Sequence, residues 1–310
     1  MQKLNNLDIT WTIDAYCNYD CPYCQIPRID KKLKIKKIET SNIKSLFKNI
    51  SNSNIILSGG EPFLFTDIIK ICQLIIKNNN NLSIVTNLSS DIVYEFADKI
   101  DPKKIGNISA SLHLTELKKF NSKKEFIERY NYLVKKGFHV EVTIVMWPPI
   151  FKNFEKIYKE FVSYGMHIIP LSFLGKYNGK NYPNDYTKEE LEIIKRYSKK
   201  TDINYNDKYK RFGEITHSRI SFKGKLCLSG MKSLVINADG SIRRCFSESK
   251  IIGHINNPNN INAFKEAKFC ESEISICPME CFTYCLEKEI KLKMKLKKKS
   301  ITSMLNKIIR

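Results

Sequence analysis

The sequence predicts an α/β protein built on parallel strands, and three features of the chain lead to that prediction. From Leu7 to about residue 173, short apolar runs alternate with segments of helical periodicity, which is the pattern of successive βα units. Glycines and small polar residues follow several of the apolar runs, as is usual where strands end. Beyond residue 226 a shorter segment is rich in cysteine and contains one hairpin pattern. A small C-terminal unit is therefore expected beside the main α/β body.

Six strands separated by helices are expected in the main body. The strands are predicted at 7–13, 54–58, 82–86, 108–113, 140–147 and 167–173. Apolar residues at helical spacing predict helices at 37–50, 66–77, 91–100, 122–136 and 153–164. Thr66 is expected to cap the second helix, and Gly137 and Gly165 are expected to end the last two. This pattern permits an open doubly wound sheet or the wall of a barrel, and in both the ligands bind at the C-terminal ends of the strands.

Three cysteines directly follow the first predicted strand. Cys17, Cys21 and Cys24 have the spacing Cys-x3-Cys-x2-Cys, and no fourth cysteine or histidine stands nearby. A structural zinc site is normally closed by four protein ligands. Three thiolates can instead hold three corners of a cubane iron–sulfur cluster and leave one iron open. The alternatives are a zinc knuckle completed by a distant ligand, or three buried thiols.

This spacing, with Tyr23 just before the last cysteine, resembles the signature of the radical S-adenosylmethionine (radical SAM) enzymes. The resemblance implies a [4Fe-4S] cluster on Cys17, Cys21 and Cys24, with SAM bound to the open iron through its amino and carboxylate groups. Reduction by a partner such as flavodoxin or ferredoxin would cleave SAM to a 5′-deoxyadenosyl radical that abstracts hydrogen from the substrate. The resemblance also implies a partial (β/α)6 TIM-like barrel, with Tyr23 packed on the adenine.

A second motif, Gly59-Gly60-Glu61-Pro62, follows the second predicted strand. It resembles the glycine-rich SAM-binding turn of the same family, which implies that Gly59, Gly60 and Glu61 position the methionyl group. Glycines permit positive φ and a close approach of backbone to ligand. Without the cysteines upstream, the same residues would read as an ordinary turn between strand and helix.

Polar residues at other strand ends are further candidates. Thr86, Asn87, Ser111 and His113 can offer hydroxyl, amide and imidazole groups to the carboxylate and ribose of SAM or to the substrate. For Asn87 and Ser111, capping of the next helix is an equally good interpretation. For His113 a structural role is favoured.

A second group of cysteines begins with Cys227, Gly240 and Cys245, in the spacing Cys-x12-Gly-x4-Cys. The residues 237–240 predict a hairpin turn between them. The pattern resembles the opening of the SPASM and twitch domains, C-terminal appendages of radical SAM enzymes. It implies a small C-terminal iron–sulfur domain with an auxiliary [4Fe-4S] cluster on Cys227 and Cys245.

The remaining ligands of this cluster are expected from Cys277, Cys281 and Cys285, whose spacing of four would align them on one stripe of a helix. Core thiols on an amphipathic helix are the alternative, and the part played by Cys270 is left open. Full ligation of two four-iron clusters takes eight thiolates, whereas this group holds six. One auxiliary cluster is therefore predicted.

Composition limits the remaining possibilities. The chain carries a formal charge of +20, concentrated at 288–310, where eight lysines and one arginine face one glutamate. This basic, amphipathic tail can contact nucleic acid or an anionic membrane, but a role in capping the end of the domain is favoured. The high lysine content is attributed to a genome biased toward A and T. No apolar run approaches the length of a membrane span and no secretory signal is recognised, so a cytoplasmic protein is expected. Cys72, in a helical apolar setting, is assigned to the core.

The expected organisation is a radical SAM barrel at 1–200, a linker at 201–225, an auxiliary cluster domain at 226–290 and the tail at 291–310. The sequence is already polar and linker-like from 174 onward, and one surface helix is expected near 187–199. The expected activity is hydrogen abstraction leading to net oxidation. Many peptide maturases of the family carry a recognition region before the barrel, and here the first strand begins by Leu7. A small molecule such as a sugar, aminocyclitol or nucleotide is therefore favoured over a peptide. A peptide or protein maturase and a non-catalytic metal-binding or redox-regulatory protein are the alternatives.

Overall fold

The structure, a computed structural model, describes residues 4–24, 38–198, 223–224 and 226–271. Its centre is a nine-stranded sheet, and six further strands form three two-stranded sheets in the described part of the chain. The strands are β1 (Leu4–Asn5), β2 (Asp8–Thr12), β3 (Ile50–Ser51), β4 (Asn54–Ser58), β5 (Asn81–Thr86), β6 (Ile105–Ser111), β7 (Val140–Met146), β8 (Ile168–Ser172), β9 (Gly175–Tyr177), β10 (Lys180–Tyr182), β11 (Leu226–Cys227), β12 (Ser233–Ile236), β13 (Ser241–Arg243), β14 (Ile251–His254) and β15 (Lys268–Phe269). The α-helices are α1 (Thr40–Asn49), α2 (Ile68–Lys77), α3 (Ile92–Lys99), α4 (Leu114–Lys119), α5 (Lys123–Lys135), α6 (Phe154–Ser163) and α7 (Lys188–Ser198).

Six parallel strands stand in the sheet in the order in which they occur in the chain, namely β2, β4, β5, β6, β7 and β8. A doubly wound sheet reverses this order at a switch point, and these six strands contain no reversal. The order is that of a barrel wall. The sheet is open in the described part of the chain, because its edge strands β14 and β8 do not pair with each other.

The C-terminal hairpin belongs to the same sheet. β12 pairs in parallel with β2, so that Ser233 lies opposite Asp8, and β13 and β14 follow in antiparallel order. The predicted turn is confirmed, because Gly240 has a φ of 86° and its N–H donates to the carbonyl of Asn237 at 2.9 Å. The hairpin between Cys227 and Cys245 therefore lies beside β2, the strand that leads into the loop of Cys17, Cys21 and Cys24.

The main sheet has two different faces, because alternate side chains of a strand point to opposite sides. One face is apolar and fully buried, as Trp11, Leu57 and Ile144 illustrate with at most 1% exposure. The other face, here called the open face, is only partly buried and carries both aliphatic and hydroxyl side chains. Its hydroxyl residues are Thr10, Thr12, Ser58, Ser83, Ser109, Ser111 and Thr143.

The strands β2, β4, β5, β7 and β8 and most helices agree with the sequence prediction to within two residues, and two local differences have clear causes. β6 begins three residues early, at Ile105, because Gly106 is an extra residue in the pairing with β5. The extra residue forms a bulge within the strand. The prediction that Thr66 caps α2 was wrong, because the helix begins at Ile68 and Asp67 precedes it.

Several elements were not predicted, and some predictions lie outside the described residues. Helix α4 and the β9–β10 hairpin are too short to give a periodic signal, while α7 agrees with the expected surface helix. Cys72 is fully buried, as predicted, and burial raises the pKa of its thiol. The tail at 291–310, Cys277, Cys281 and Cys285 are outside the described part. Within the described part, no helix has both the length and the apolar character needed to cross a bilayer.

Candidate active site

The first three cysteines lie on a loop that leaves the C-terminal end of β2. Cys21 is buried, Cys17 is partly buried and Cys24 is exposed. The sulfur of Cys17 accepts a hydrogen bond from the backbone N–H of Tyr19 at 3.4 Å and lies 3.7 Å from the side-chain amide of Asn87. Such donors stabilise sulfur in its negatively charged form and tune a bound iron–sulfur cluster.

The three thiols of this loop have the donor chemistry that an iron–sulfur cluster requires. Among the described residues, no three His, Cys, Asp or Glu side chains converge as a mononuclear site requires. A cubane binds each thiolate at a different iron, so its ligand sulfurs do not have to share one centre. Three thiols on one loop, with N–H donors directed at Cys17, therefore provide a suitable donor set for three corners of a [4Fe-4S] cluster.

The glycine turn after β4 packs directly against the cysteine loop. The N–H of Gly60 donates to the carbonyl of Asp14 at 2.8 Å, and the N–H of Glu61 donates to the carbonyl of Tyr16 at 2.9 Å. A Cβ at Gly60 would lie 1.8 Å from the carbonyl oxygen of Tyr16, and one at Gly59 would lie 2.4 Å from that of Asp14. Both positions require glycine, because any larger residue would push the cysteine loop away.

The side chain of Glu61 is turned into the protein. One carboxylate oxygen accepts hydrogen bonds from the hydroxyl of Thr86 at 2.6 Å and the N–H of Phe63 at 3.0 Å, and the other accepts from the N–H of Asn87 at 2.6 Å. Burial raises the pKa of this carboxyl to about 7, although the three hydrogen bonds oppose the shift. Glu61 thus ties the glycine turn to the end of β5. A contact of this residue with the methionyl group remains a prediction.

Asn87 is brought to the cysteine loop by this arrangement. Its side-chain amide donates to the carboxamide oxygen of Asn18 at 3.2 Å, and Ser89 donates to the same oxygen at 3.1 Å. Asn18 was missed in the sequence, where only its position between the cysteines could have pointed to it. The four residues Asn18, Asn87, Ser89 and Cys17 form a polar group beside the first thiol.

Tyr23 and His113 meet on the opposite side of the loop. The phenol oxygen of Tyr23 lies 3.0 Å from Nδ1 of His113, and its ring lies 5.3 Å from that of Trp147. Burial raises the pKa of the Tyr23 phenol, so the group is neutral at physiological pH. The ring borders an apolar cleft of about 170 Å³ that Trp147, Leu112 and Ile157 also line.

Glu116, which the sequence did not single out, gives the loop a further support. Its buried carboxylate accepts a hydrogen bond from the N–H of Asp20 at 3.2 Å. His113 and Glu116 both follow β6, so the end of this strand contacts the loop at two points. Ser111 lies on the open face opposite Thr143 of β7, away from these two supports. The contact of His113 with Tyr23 agrees with the structural role that the sequence favoured for this histidine.

Cys227 and Cys245 flank the C-terminal hairpin. Cys227 is buried and its sulfur accepts from the N–H of Ser229 at 3.4 Å. Burial raises the pKa of the Cys245 thiol to about 11. Cys270 directly follows β15, which pairs with the strand of Cys227. This pairing places Cys270 near Cys227. The sequence had left the part played by Cys270 open.

The two cysteine sites lie at opposite ends of the sheet. The first loop follows Thr12 at the C-terminal end of β2, whereas β13 runs back toward Asp8, the N-terminal end of β2, and Cys245 follows β13 by two residues. At about 3.3 Å per residue, these ends of β2 are about 13 Å apart. The open face extends between them.

Comparison with known protein families finds a match in the N-terminal half of the chain. Residues 12–161 match the family model described as the Radical SAM superfamily. This part of the chain contains the first cysteine loop and the glycine turn. No curated protein matches the chain in sequence.

Solved structures share the fold at low sequence identity. Native anSMEcpe with bound AdoMet is 17% identical, with a TM-score of 0.58 over 81% of this chain and 78% of that chain. SuiB of Streptococcus suis bound to S-adenosylmethionine is 14% identical, with a TM-score of 0.54 over 78% of this chain and 60% of that chain. At these identities the likeness concerns the fold, and both of these folds are seen with SAM bound.

Proposed function

We propose that this protein is a radical SAM enzyme that abstracts hydrogen from a polar substrate held along the open face. The observation that carries the proposal is the cysteine loop of the radical SAM domain, which the glycine turn, Asn87, His113 and Glu116 hold in place from several sides. When bound at Cys17, Cys21 and Cys24, the cluster would supply the electron that cleaves SAM to methionine and a 5′-deoxyadenosyl radical. The electron itself would come from a reductant such as flavodoxin or ferredoxin.

The protein residues have separate tasks in this proposal. Gly59 and Gly60 let the cysteine loop approach the end of β4, and Glu61 fixes the turn that follows. Tyr23 offers one wall of an apolar cleft suited to the adenine, with Trp147 beside it. Ser111 and Asn87 remain candidates for polar contacts with SAM, because they flank the space above the strand ends on two sides.

We also propose one auxiliary [4Fe-4S] cluster in a SPASM- or twitch-like C-terminal segment. In this proposal Cys227 and Cys245, which flank the hairpin, are its first two ligands. Cys270 and the cysteines at 277, 281 and 285 compete for the remaining positions. A cluster at this end of the open face would be suited to accept the electron left on an oxidised substrate, which favours net oxidation over rearrangement.

The open face supports a substrate rich in hydrogen-bonding groups. Its hydroxyl side chains are partly exposed, and two of them, Ser109 and Thr143, lie 3.3 Å apart on neighbouring strands. Among the proteins with this fold, anSMEcpe is seen with the Kp18Cys peptide and SuiB with its precursor peptide SuiA. A peptide is therefore the first substrate class to test. A polyhydroxylated small molecule, such as a sugar or aminocyclitol, is the second, because hydroxyl groups pair equally well with it.

The decisive experiment measures SAM cleavage after anaerobic reconstitution with iron and sulfide. Reduction with dithionite in the presence of SAM is expected to yield 5′-deoxyadenosine. Joint substitution of Cys17, Cys21 and Cys24 by alanine should abolish this product, whereas Cys72→Ala, a thiol removal in the core, should preserve it. Zinc as the sole bound metal, or no nucleoside product from the wild type, would refute the proposal.

The substrate class is read from deuterium transfer. Peptides and polyhydroxylated small molecules labelled with deuterium on carbon are incubated separately with the reconstituted enzyme and SAM. The class that transfers deuterium into 5′-deoxyadenosine donates the abstracted hydrogen. Product formation without deuterium from either class would reject both substrate proposals while leaving SAM cleavage intact.

A further inference from the structure

We infer that Arg129 is a positioning residue for the first cysteine site. Its buried guanidinium fixes the turn that follows β5, and this turn directs the side chains of Asn87 and Ser89 at the cysteine loop, where they raise the reduction potential of a bound cluster. Arg129 can act in this way only if the loop holds the proposed cluster, so the inference rests on the proposed function. It adds a residue on α5 that belongs to no motif and lies more than 100 residues beyond the cysteines.

The guanidinium of Arg129 contacts the turn at two points. Arg129 lies on α5 and is buried. One terminal nitrogen, Nη1, donates a hydrogen bond to the carbonyl of Leu88 at 3.0 Å, and the other, Nη2, lies 2.7 Å from a carboxylate oxygen of Asp91. A buried guanidinium is costly unless its charge is offset, and the largely exposed carboxylate of Asp91 offsets it from the solvent side. The planar fork therefore holds residues 88 and 91 at a fixed spacing.

The backbone of this turn has a conformation that needs support. Leu88 has a φ of 54°, in the left-handed region that residues with a Cβ rarely adopt. Its side chain is fully buried, and its N–H donates to the hydroxyl of Thr86 at 3.0 Å. Arg129 binds the carbonyl on the other side of the same residue. Loss of the guanidinium would remove this hydrogen bond at a strained position, so the turn would relax.

The turn sets the orientation of the Asn87 side chain. The N–H of Ser89 donates to the carboxamide oxygen of Asn87 at 2.9 Å. The NH₂ group of Asn87 therefore faces the cysteine loop, where it lies 3.2 Å from the carboxamide oxygen of Asn18 and 3.7 Å from the sulfur of Cys17. The hydroxyl of Ser89 donates to the same oxygen of Asn18 at 3.1 Å. Both side chains reach the loop only while the turn keeps its shape.

These contacts have a defined effect on a cluster bound at Cys17. Hydrogen bonds to ligand sulfurs stabilise the more negative, reduced form of an iron–sulfur cluster and thereby raise its reduction potential. A turn that moves away takes the amide of Asn87 with it, so the sulfur of Cys17 loses a donor. The reduction potential should then fall, and a stronger reductant would be needed to supply the electron that cleaves SAM.

The test uses the full-length protein, reconstituted anaerobically with iron and sulfide. The first cluster is identified by the EPR signal that changes when SAM is added, and its midpoint potential is measured by redox titration. The variants are Arg129→Gln, Asn87→Ala and the double variant. Leu133→Ala is the matched control, because Leu133 is a fully buried residue one turn further along the same helix. Its truncation weakens core packing but removes neither contact of Arg129 with the turn.

Arg129→Gln is expected to shift the reduction equilibrium about threefold toward the oxidised cluster, which corresponds to a fall of about 28 mV for one electron. Asn87→Ala should lower the potential at least as much, and the double variant should equal Asn87→Ala, because Arg129 acts through that amide. Leu133→Ala should lower the free energy of unfolding and leave the potential unchanged. An unchanged potential in Arg129→Gln, additive shifts in the double variant or an equal shift in Leu133→Ala would overturn the inference.

A second substitution keeps the test decisive if Arg129→Gln does not fold. Asp91→Asn leaves the guanidinium in place and weakens one of its two contacts at an exposed carboxylate. A fall in potential that disappears when Asn87 is already alanine supports the role of Arg129. A potential equal to that of the wild type rejects it.

The proposed function and the role of Arg129 fail in different ways in this experiment. If the wild type forms no cluster that responds to SAM, the proposed function itself fails. If the wild type forms this cluster and cleaves SAM, and the Arg129 and Asp91 variants keep its potential, only the role of Arg129 is rejected.

Discussion

Replacement of Glu61 by glutamine tests how the glycine turn is held to the end of β5. The carboxylate accepts three hydrogen bonds at 2.6 to 3.0 Å and is fully buried. Glutamine has one acceptor oxygen, so its NH₂ group must face at least one of the N–H donors of Phe63 and Asn87. An unsatisfied donor of this kind costs about 1–3 kcal/mol.

The pH dependence gives this prediction a sign. Burial raises the pKa of Glu61 from 4.5 to about 7, so the folded protein binds this proton more tightly than the unfolded chain does. The stabilisation by Glu61 is therefore complete below the unfolded pKa and is lost as the pH rises through about 7. From pH 5.5 to pH 8.5 the loss amounts to about 2 kcal/mol, since one pKa unit corresponds to 1.36 kcal/mol.

The measurement is the free energy of unfolding in urea for the wild type and Glu61→Gln at pH 5.5, 7.0 and 8.5. The wild type should be more stable by about 1–3 kcal/mol at pH 5.5, and this difference should shrink by about 2 kcal/mol at pH 8.5. Glu95→Gln, in an exposed ion pair with Lys99, should show a nearly constant difference. A pH-independent gap for Glu61→Gln would refute the assignment of a raised pKa to this carboxyl.

Three further substitutions probe the proposed site. Gly60→Ala would put a Cβ 1.8 Å from a carbonyl oxygen of the cysteine loop, and it should remove most of the iron at the first site, whereas Gly106→Ala, with its nearest atom at 3.2 Å, should retain it. Tyr23→Phe removes the 3.0 Å hydrogen bond to His113 and should lower the free energy of unfolding by about 1 kcal/mol, and a urea curve identical to the wild type would contradict that support. Thr143→Val keeps the side-chain shape but removes a hydroxyl from the open face, so KM for the substrate should rise while SAM cleavage without substrate is unchanged. A KM equal to that of the wild type would separate this hydroxyl from substrate binding.

Several local features could be predicted from the sequence because they depend on neighbours in the chain. The strands at 54–58 and 140–146 and the turn before Gly240 follow from apolar alternation and from the conformational freedom of glycine. The cysteine spacing of the first loop was sufficient to suggest the radical SAM family, whose model matches residues 12–161. The start of β6 was harder, since the bulge at Gly106 depends on the pairing with β5.

The cysteines and the glycine turn of the candidate site could be recognised in the sequence, whereas the residues that hold them in place could not. Cys17, Tyr23 and the glycine turn are short motifs, so their spacing can be read directly. Asn18 and Glu116 have no motif, because each acts through a contact with a residue that is distant in the chain. Glu61 belonged to a motif, yet the motif did not reveal that its carboxylate accepts hydrogen bonds from Thr86 and Asn87.

The sequence by itself determined the α/β class, the succession of strands and helices and the two groups of cysteines, since each depends on periodicity or on spacing along the chain. The tertiary structure decided which strands are neighbours. Pairing of β12 with β2 put the C-terminal hairpin beside the strand that leads into the cysteine loop, and the carboxylate of Glu61 is buried against Thr86 and Asn87. The first arrangement depends on contact between segments more than 200 residues apart and the second on the exclusion of water, and no local pattern encodes either.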